Sequence, residues 1–520
     1  MRNDNTTIAT TDGSTTSMED TDSSFVNVAN SNNAVSLSVR PKHTVIGVDA
    51  AGQTTTEICV TMNAAELQDD EQRAAVDIIV ALDVSGSMSG APLKLCKRTL
   101  EMLLRVLLPN DRFGLVTYAS DAVVDIPIQK MTPANKQAAL QKIESLCTRG
   151  ATNISAAIGL AAMEMNAVGH EPNEVRSIFL LTDGLANEGI RDVPGLVKLT
   201  QNCLVNGVAA VPNRGLLGRT KNKTISTNAE KLPGPPISMH CFGYGTNHNA
   251  ELLRQVALAA SGSYYFVEND TNVGSAFGDC LGGVLSVVAQ SAVVMIQPCQ
   301  EALDLGMKIF TVHHDQSIQR DNGSYTVTVG DFYAEESRDV LLTVQLATAK
   351  TPNATPIPHV SVHLSYTDTL RKRPVTTETV TCSIARPAGS EVSTADTHVA
   401  AQWLRVFATR EMALADTMAQ GNDLMGAQAK IRLVRDKIQE ECEGVQICGE
   451  IRELCIDMET VEDGLQSREV WHSSGSKHMA SSRMTHGHQR AATSAGGANV
   501  YMNKQKKKLS AGFNLAGRNS

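Results

Sequence analysis

Aromatic residues are scarce, at 4% of the 520 residues, so the cores must be built mainly from aliphatic side chains. Long hydrophobic runs are missing too. The most apolar stretch, GGVLSVVAQSAVVMI at 282–296, falls short of the ~20 residues that cross a bilayer and carries Gln290 and Ser291, which argues against a membrane-spanning helix. The N-terminus, MRNDNTTIATTDGSTTSMEDTDSS, has no apolar segment of the kind a secretory signal needs. Basic residues are outnumbered, 46 Lys and Arg against 55 Asp and Glu for a net charge of −9. A general nucleic-acid binder, which needs a basic face to release counterions from phosphate, is therefore not expected. Eleven cysteines run from Cys59 to Cys455 without tight CxxC pairs. Several sit in apolar segments, so they read as reduced and packed, in a reducing, cytoplasmic compartment. No GxxxxGK[ST] loop is present, and the strand-end run VDIIVALDVSGSM lacks the second aspartate of an Asp-x-Asp nucleophile pair.

What is present is 42% hydrophobic and 19% charged sequence, an ordinary globular balance with room for two or three domains at roughly 100–200 residues each. Residues 1–33 are Ser, Thr, Asn and Asp with little to bury, and are expected to be disordered. Two β-branched runs in 34–70 suggest strands that cannot stand alone and that pair with a later β domain. Over 74–290, apolar runs alternate with helical patterns: VDIIVALD, RFGLVTYA, VVDIPIQ, VRSIFLLTD, ISMHCFGYG and SGSYYFVE against PLKLCKRTLEMLLRVL, ANKQAALQKIESLC, NISAAIGLAAMEM, VPGLVKLTQNCL, AELLRQVALAAS and VGSAFGDCLGGVLSVV. That alternation is the signature of an α/β fold with a doubly wound, mostly parallel sheet. VVDIPIQ follows its predecessor too closely for a crossover, so it should be an antiparallel edge strand. The stretch 205–236 is longer than a normal loop and reads as an insertion. Period-two patterns over 291–385 predict an antiparallel β-sandwich in which the α/β domain is inserted, or which follows it. A helical hairpin is expected over 396–463, joined near Gly421-Asn422. Residues 464–520, rich in Ser, Gly and His and ending near KQKKK at 504–508, read as a disordered tail.

The candidate site lies at the ends of the buried strands. In open α/β sheets ligands bind outside the carboxyl edge, and VDIIVALDVSGSMSG delivers Asp83, Ser85, Ser87 and Ser89 there. CTRGATNIS brings Thr152 to the start of a helix, and FLLTDG brings Asp183 to another strand end. Five oxygen donors from three loops, Asp83, Ser85, Ser87, Thr152 and Asp183, suit a hard divalent cation, Mg²⁺ or Mn²⁺. Each loop also has a plainer reading: Asp83 and Thr152 as helix caps, Asp183-Gly184 as a turn. Elsewhere, Cys442, Cys448 and Cys455 with Glu441 and Glu443 fit no zinc spacing. His472, His478, His486 and His488 read as part of a solvated tail.

DVSGSM, GATNI and LLTDG, in that order on a βα framework, resemble the metal-ion-dependent adhesion site (MIDAS) of von Willebrand factor type A (VWA) domains, over roughly 76–290. VGDFYAEESRDVLLTV (329–344) and the helical part near 400–460 are similar to segments that follow such domains in plant RING-type and related eukaryotic proteins. The resemblance implies a metal-dependent protein-binding module, in which Mg²⁺ (or Mn²⁺) captures an acidic residue of a protein partner. It implies an adaptor or scaffold, not an enzyme; the acidic charge balance and the lack of a long apolar run add the expectation of no nucleic acid and no membrane span. Because no Cys/His zinc pattern of a RING exists here, ligase activity does not transfer; a substrate-recruiting role in a ubiquitin-ligase assembly is the alternative. A Mg²⁺-dependent phosphohydrolase using the same carboxylates is a third reading.

Overall fold

The computed structural model describes residues 33–50, 55–67, 73–167, 171–206, 234–269, 272–346, 352–442, 448–490 and 498–518. The segment 1–33 but for its last residue, and most of the insertion expected at 205–236, lie outside these. Two strands open the fold: β1 (Val35–Pro41) and β2 (Thr55–Ala64), paired antiparallel. Along β1 buried and half-buried side chains alternate, the period of a strand with one face on a core.

An α/β unit follows, made of β3 (Val76–Asp83), α1 (Ala91–Val106), β4 (Arg112–Tyr118), β5 (Ala122–Lys130), α2 (Pro133–Glu144), α3 (Ile154–Asn166), β6 (Val175–Thr182), α4 (Val193–Thr200), β7 (Ile237–Tyr244), α5 (Ala250–Ala259), β8 (Tyr264–Val267) and α6 (Val273–Val284). Its sheet runs β5-β4-β3-β6-β7-β8, parallel throughout except for β5, which is antiparallel to β4 at one edge. β3, β6 and β7 bury every residue, because helices cover both faces. Leu100 of α1, Ile143 of α2 and Phe277 of α6 pack on one face; Ile158 of α3, Leu196 of α4 and Val256 of α5 pack on the other. The few aromatics are concentrated here, with Phe242 stacked on Tyr265 at 4.9 Å and Phe277 edge-on to Phe179 at 5.5 Å. From β3 the chain steps to β4 on one side and then crosses to β6 on the other. The carboxyl end of β3 is therefore the switch point at which such sheets open a crevice.

The chain then builds β9 (Val287–Pro298), α7 (Gln300–Asp304), β10 (Lys308–His313), β11 (Ser317–Gln319), β12 (Tyr325–Tyr333), β13 (Ser337–Gln345), β14 (Asn353–Asp368), β15 (Arg373–Thr376) and β16 (Val380–Arg386). One sheet is ordered β1-β2-β13-β10; the other is β11-β12-β9-β14-β15, with β16 also on β14. β2 and β13 pair antiparallel, Ile58 opposite Leu342 and Val60 opposite Val340. The α/β unit is thus inserted between β2 of one sheet and β9 of the other in a sandwich whose shared core includes Val60, Ile296, Leu342 and Val362. One expected boundary shifts. VGSAFGDCLGGVLSVV was read as a single helix ahead of a sandwich starting at 291, yet α6 stops at Val284 and β9 starts at Val287. Ser286 turns its hydroxyl back onto the carbonyls of Gly282 and Gly283, and the β-branched Val287-Val288 then favours a strand.

The C-terminal part consists of α8 (Thr397–Gln420), α9 (Leu424–Glu441), α10 (Gly449–Asp463), α11 (Arg468–Val470), α12 (Ser476–His488) and α13 (Lys504–Arg518). α8 and α9 form the expected hairpin, turned by Asn422 at φ 69°, but α10 adds a third helix to their core of Ala415, Ile431 and Met458. The disordered tail expected at 464–520 is corrected: α12 packs on α5 and α8, and α13 lies along α6. Polar pairs add to the apolar contacts that Met479 and Met484 of α12 and Leu509 and Phe513 of α13 make with the cores. α12 buries Lys477, Ser481, Ser482, Thr485 and His486; His486 Nε2 meets Asp457 Oδ2 at 2.9 Å, and His478 stands edge-on to Phe266 at 5.4 Å. Within KQKKK, Lys506 is buried against Asp279 at 3.2 Å. α6 admits α13 closely because Gly278 is bare: a Cβ there would fall 2.5 Å from Ser510 N.

Arg490, just past α12, donates from Nε to Glu336 Oε1 at 2.7 Å, and Arg338 Nε donates to the same oxygen at 3.2 Å. Burial alone would raise the Glu336 carboxyl, but the two guanidinium charges outweigh it and hold the group down to about 2, from 4.5. A depressed acid stabilises the fold above its unfolded value and loses that contribution as pH falls through the folded one. Arg490→Met is expected to move the acid-unfolding midpoint, followed by circular dichroism, to higher pH. An unchanged midpoint would show that Arg490 does not hold this carboxylate.

Candidate metal centre

The site grows from the end of β3. Backbone bonds tie the loop after Asp83 to its neighbours: Val84 N–H donates to Tyr118 O at 2.8 Å, Arg149 N–H to Val84 O at 2.6 Å and Gly86 N–H to Gly150 O at 3.2 Å. Gly150 sits at φ +61°, and a Cβ there would lie 2.9 Å from Ser120 Oγ, so the loop that leads to Thr152 requires glycine. Asp83 is fully buried. Its Oδ1 accepts from Ser85 N–H at 2.8 Å, and its Oδ2 accepts from the Thr182 hydroxyl at 2.7 Å. Ser85 Oγ lies 3.1 Å from Ser87 Oγ, which donates to Asp183 Oδ1 at 2.8 Å. Thr152 faces them across Gly184: a Cβ on that glycine would be 3.6 Å from Ser87 Oγ and 3.7 Å from Thr152 Oγ1. Asp83, Ser85, Ser87 and Asp183 are thus joined by hydrogen bonds, with the Thr152 and Ser87 hydroxyls both beside Gly184, while Ser89 is exposed and its N–H bonds Gly86 O.

The helix-cap readings fail. α1 is preceded by Gly90, which makes no side-chain cap, and α3 is capped by Asn153, whose Oδ1 accepts from Ala156 N–H at 3.0 Å. Asp83 and Thr152 cap neither helix. Burial raises the carboxyls of both Asp83 and Asp183, and the Asp183 charge adds to the shift on Asp83. One buried carboxylate, Asp83, and one half-buried, Asp183, with hydroxyls beside them fit a hard dication, which prefers anionic and neutral oxygens and offsets that charge.

Two supporting residues escaped sequence reasoning. Thr182 orients Asp83, and it could have been noticed as the residue before Asp183 in LLTDG. Asn187 takes the Thr152 N–H on its Oδ1 at 2.7 Å and gives its own N–H to Thr152 O at 3.0 Å; no spacing signals it.

Residues 77–279 match the family described as von Willebrand factor type A domain. Over that span the chain matches this class of domain, and its fold resembles that of solved proteins described the same way. Among relatives, E3 ubiquitin-protein ligase WAV3 of Arabidopsis thaliana is 26% identical over 289 residues, 55% of this chain and 33% of that protein. An uncharacterized protein of Synechocystis sp. is 25% identical over 380 residues, 71% of this chain and 80% of its own length. The chain thus spans a third of the plant ligase and four fifths of the cyanobacterial protein. Of solved structures, a von Willebrand factor type A protein from Catenulispora acidiphila has TM-score 0.61 at 15% identity, covering 84% of this chain and 92% of that one. The ArnB paralog VWA2 from Sulfolobus acidocaldarius has TM-score 0.51 at 12% identity, covering 88% and 99%. These likenesses are of fold alone, and they extend well beyond the 77–279 match. Domains of this class typically mediate protein interaction and commonly bind a divalent metal. No helix among the described residues is long and apolar enough to cross a membrane.

Proposed function

We propose that the chain is a non-enzymatic, cytoplasmic adaptor that holds Mg²⁺ or Mn²⁺ at Asp83, Ser85, Ser87, Thr152 and Asp183 and uses it to capture an acidic side chain of a protein partner. The observation that carries this reading is the unbroken hydrogen-bonded run Asp83–Ser85–Ser87–Asp183, with Thr152 facing it and none of the five spent on capping. The bound ion would supply an electrophilic anchor for a carboxylate. The chain's own residues do the positioning: Thr182 and the Ser85 N–H fix both oxygens of Asp83, and Asn187 clamps Thr152 on two sides. Two carboxylates and three neutral hydroxyls leave an ion's shell open to an external anion, so metal and partner should bind cooperatively.

The match to the Arabidopsis ligase supports a second reading, a substrate-recruiting component of a ubiquitin-ligase assembly, in which the same site would select the substrate. Immobilised protein loaded with Mg²⁺ and challenged with a peptide library tests both readings. Peptides that bind are expected to be enriched in Asp and Glu, to elute with EDTA and to be absent from an Asp183→Ala column. Equal retention on the two columns would overturn the metal-dependent reading.

A further inference from the structure

Far from the strand-end site, where the helical part meets the sandwich, three classical metal-binding side chains converge. Cys59 comes from β2, Asp339 from β13 and His398 from the first turn of α8, and their ligand atoms all lie within 4.8 Å of one another. Cys59 Sγ is 3.4 Å and His398 Nε2 is 2.9 Å from the same oxygen, Asp339 Oδ1. A zinc tetrahedron with bonds of about 2.0–2.3 Å has edges of about 3.3–3.5 Å, so only a small relaxation separates this cluster from a coordination shell. Thr61 Oγ1 lies beside the cluster, 3.4 Å from His398 Nε2 and 3.8 Å from Cys59 Sγ, and its hydroxyl donates to Asp339 Oδ1 at 2.6 Å, a bond that a metal on that oxygen would replace.

We infer that Cys59, Asp339 and His398 form a second metal site, selective for zinc or a similarly soft divalent cation, that pins α8 onto the β2–β13 pair. Thiolate, imidazole and carboxylate together suit zinc, whereas magnesium prefers an all-oxygen shell. The charges balance as well: one thiolate and one carboxylate neutralise one dication, which a buried site needs. Cys59 and Asp339 are buried, but the His398 side chain is 31% exposed, giving an entry path. An outer shell is already in place. Gln489 donates from Nε2 to Asp339 Oδ2 at 2.9 Å and accepts the Asp339 N–H on Oε1 at 2.7 Å, which leaves Oδ1 turned toward Cys59 and His398. Such partners fix the orientation of a ligating carboxylate. Metal binding would release the thiol proton of Cys59 to solvent.

The test uses the full chain carrying Asp183→Ala, so that the strand-end oxygens do not compete, and titrates it with Co²⁺ and then Zn²⁺. One equivalent of Co²⁺ is expected to give a tetrahedral visible spectrum with a thiolate-to-cobalt charge-transfer band, displaced by one equivalent of Zn²⁺. Cys59→Ser should abolish that band. His398→Gln, at a part-exposed position, should weaken zinc at least roughly tenfold, the cost of losing an outer-shell partner alone. In the otherwise unaltered chain, His398→Gln should leave the thermal response to Mg²⁺ intact. Cobalt binding without the thiolate band, or zinc affinity unchanged in His398→Gln, would mean adventitious binding to other histidines and overturn the assignment.

Discussion

Alanine in place of Asp183 is expected to abolish the rise in melting temperature that Mg²⁺ gives the intact protein. The substitution removes one of two carboxylates and the acceptor of the Ser87 hydroxyl, while the Asp83 end of the site keeps its bonds to Ser85 and Thr182. An ion binding only the folded chain at 100 times its dissociation constant adds about 2.7 kcal/mol, and the variant should show none of it. Without metal the sign reverses. The carboxyls of Asp83 and Asp183 are both raised by burial above 3.8, so their ionisation destabilises the fold as pH rises from that value. In EDTA the wild type should therefore lose more stability than Asp183→Ala between pH 4 and 7, and Mg²⁺ should restore it. Scanning calorimetry of both proteins with Mg²⁺ and with EDTA decides the matter; an equal magnesium response in the variant would remove Asp183 from the site.

The second large effect is at the other end of the chain. Lys506→Met should destabilise the protein by about 3–5 kcal/mol, the usual result of leaving one partner of a buried pair uncompensated. Lys506 and Asp279 are 2% and 1% exposed and 3.2 Å apart, and Asp279 also accepts the Tyr265 hydroxyl at 2.9 Å. Burial already raises the Asp279 carboxyl, and the Lys506 charge is the leading influence opposing it. Without the lysine it rises further, so the stability gap between wild type and variant should widen as pH climbs above 3.8 and narrow in acid. Asp279→Leu combined with Lys506→Met should recover much of the loss, since apolar replacement of a buried pair is often neutral. Urea denaturation at pH 4 and pH 8 reads both effects; a single variant as stable as wild type would show that α13 is not seated on α6.

The α/β unit was legible because its strands are unbroken apolar runs and its helices carry apolar stripes, signals contained within a dozen residues. Asp83, Ser85, Ser87 and Asp183 were noticeable for the same reason, since they follow the ends of such runs, whereas Thr152 drew notice only as the residue ahead of a helix. Helices α12 and α13 were not legible, because much of what holds them is remote. Arg490 finds Glu336 across 154 positions and Gln489 finds Asp339 across 150, and a helix that buries lysine, serine and histidine has the composition of a solvated tail. Cys59 was read as merely packed, since the aspartate and histidine beside it lie 280 and 339 positions away in sequence or come from different elements. Asn187 belongs to a loop whose only cue is the Thr152 backbone it binds.

The pairing of β2 with β13 also sets a timetable. Thr61 and Asp339 touch across 278 positions, which at roughly 5–20 residues per second on the ribosome is a wait of about 15–55 s between the two strands. During that interval one side of β2 is an open edge, the part of a sheet most prone to pair with another chain. Early folding of the inserted α/β unit shortens the closure, because a folded insert replaces a long flexible loop and so lowers the entropy lost when its ends meet. A destabilised insert would thus show itself first as aggregation of newly made chains through the strand that is still waiting for its neighbour.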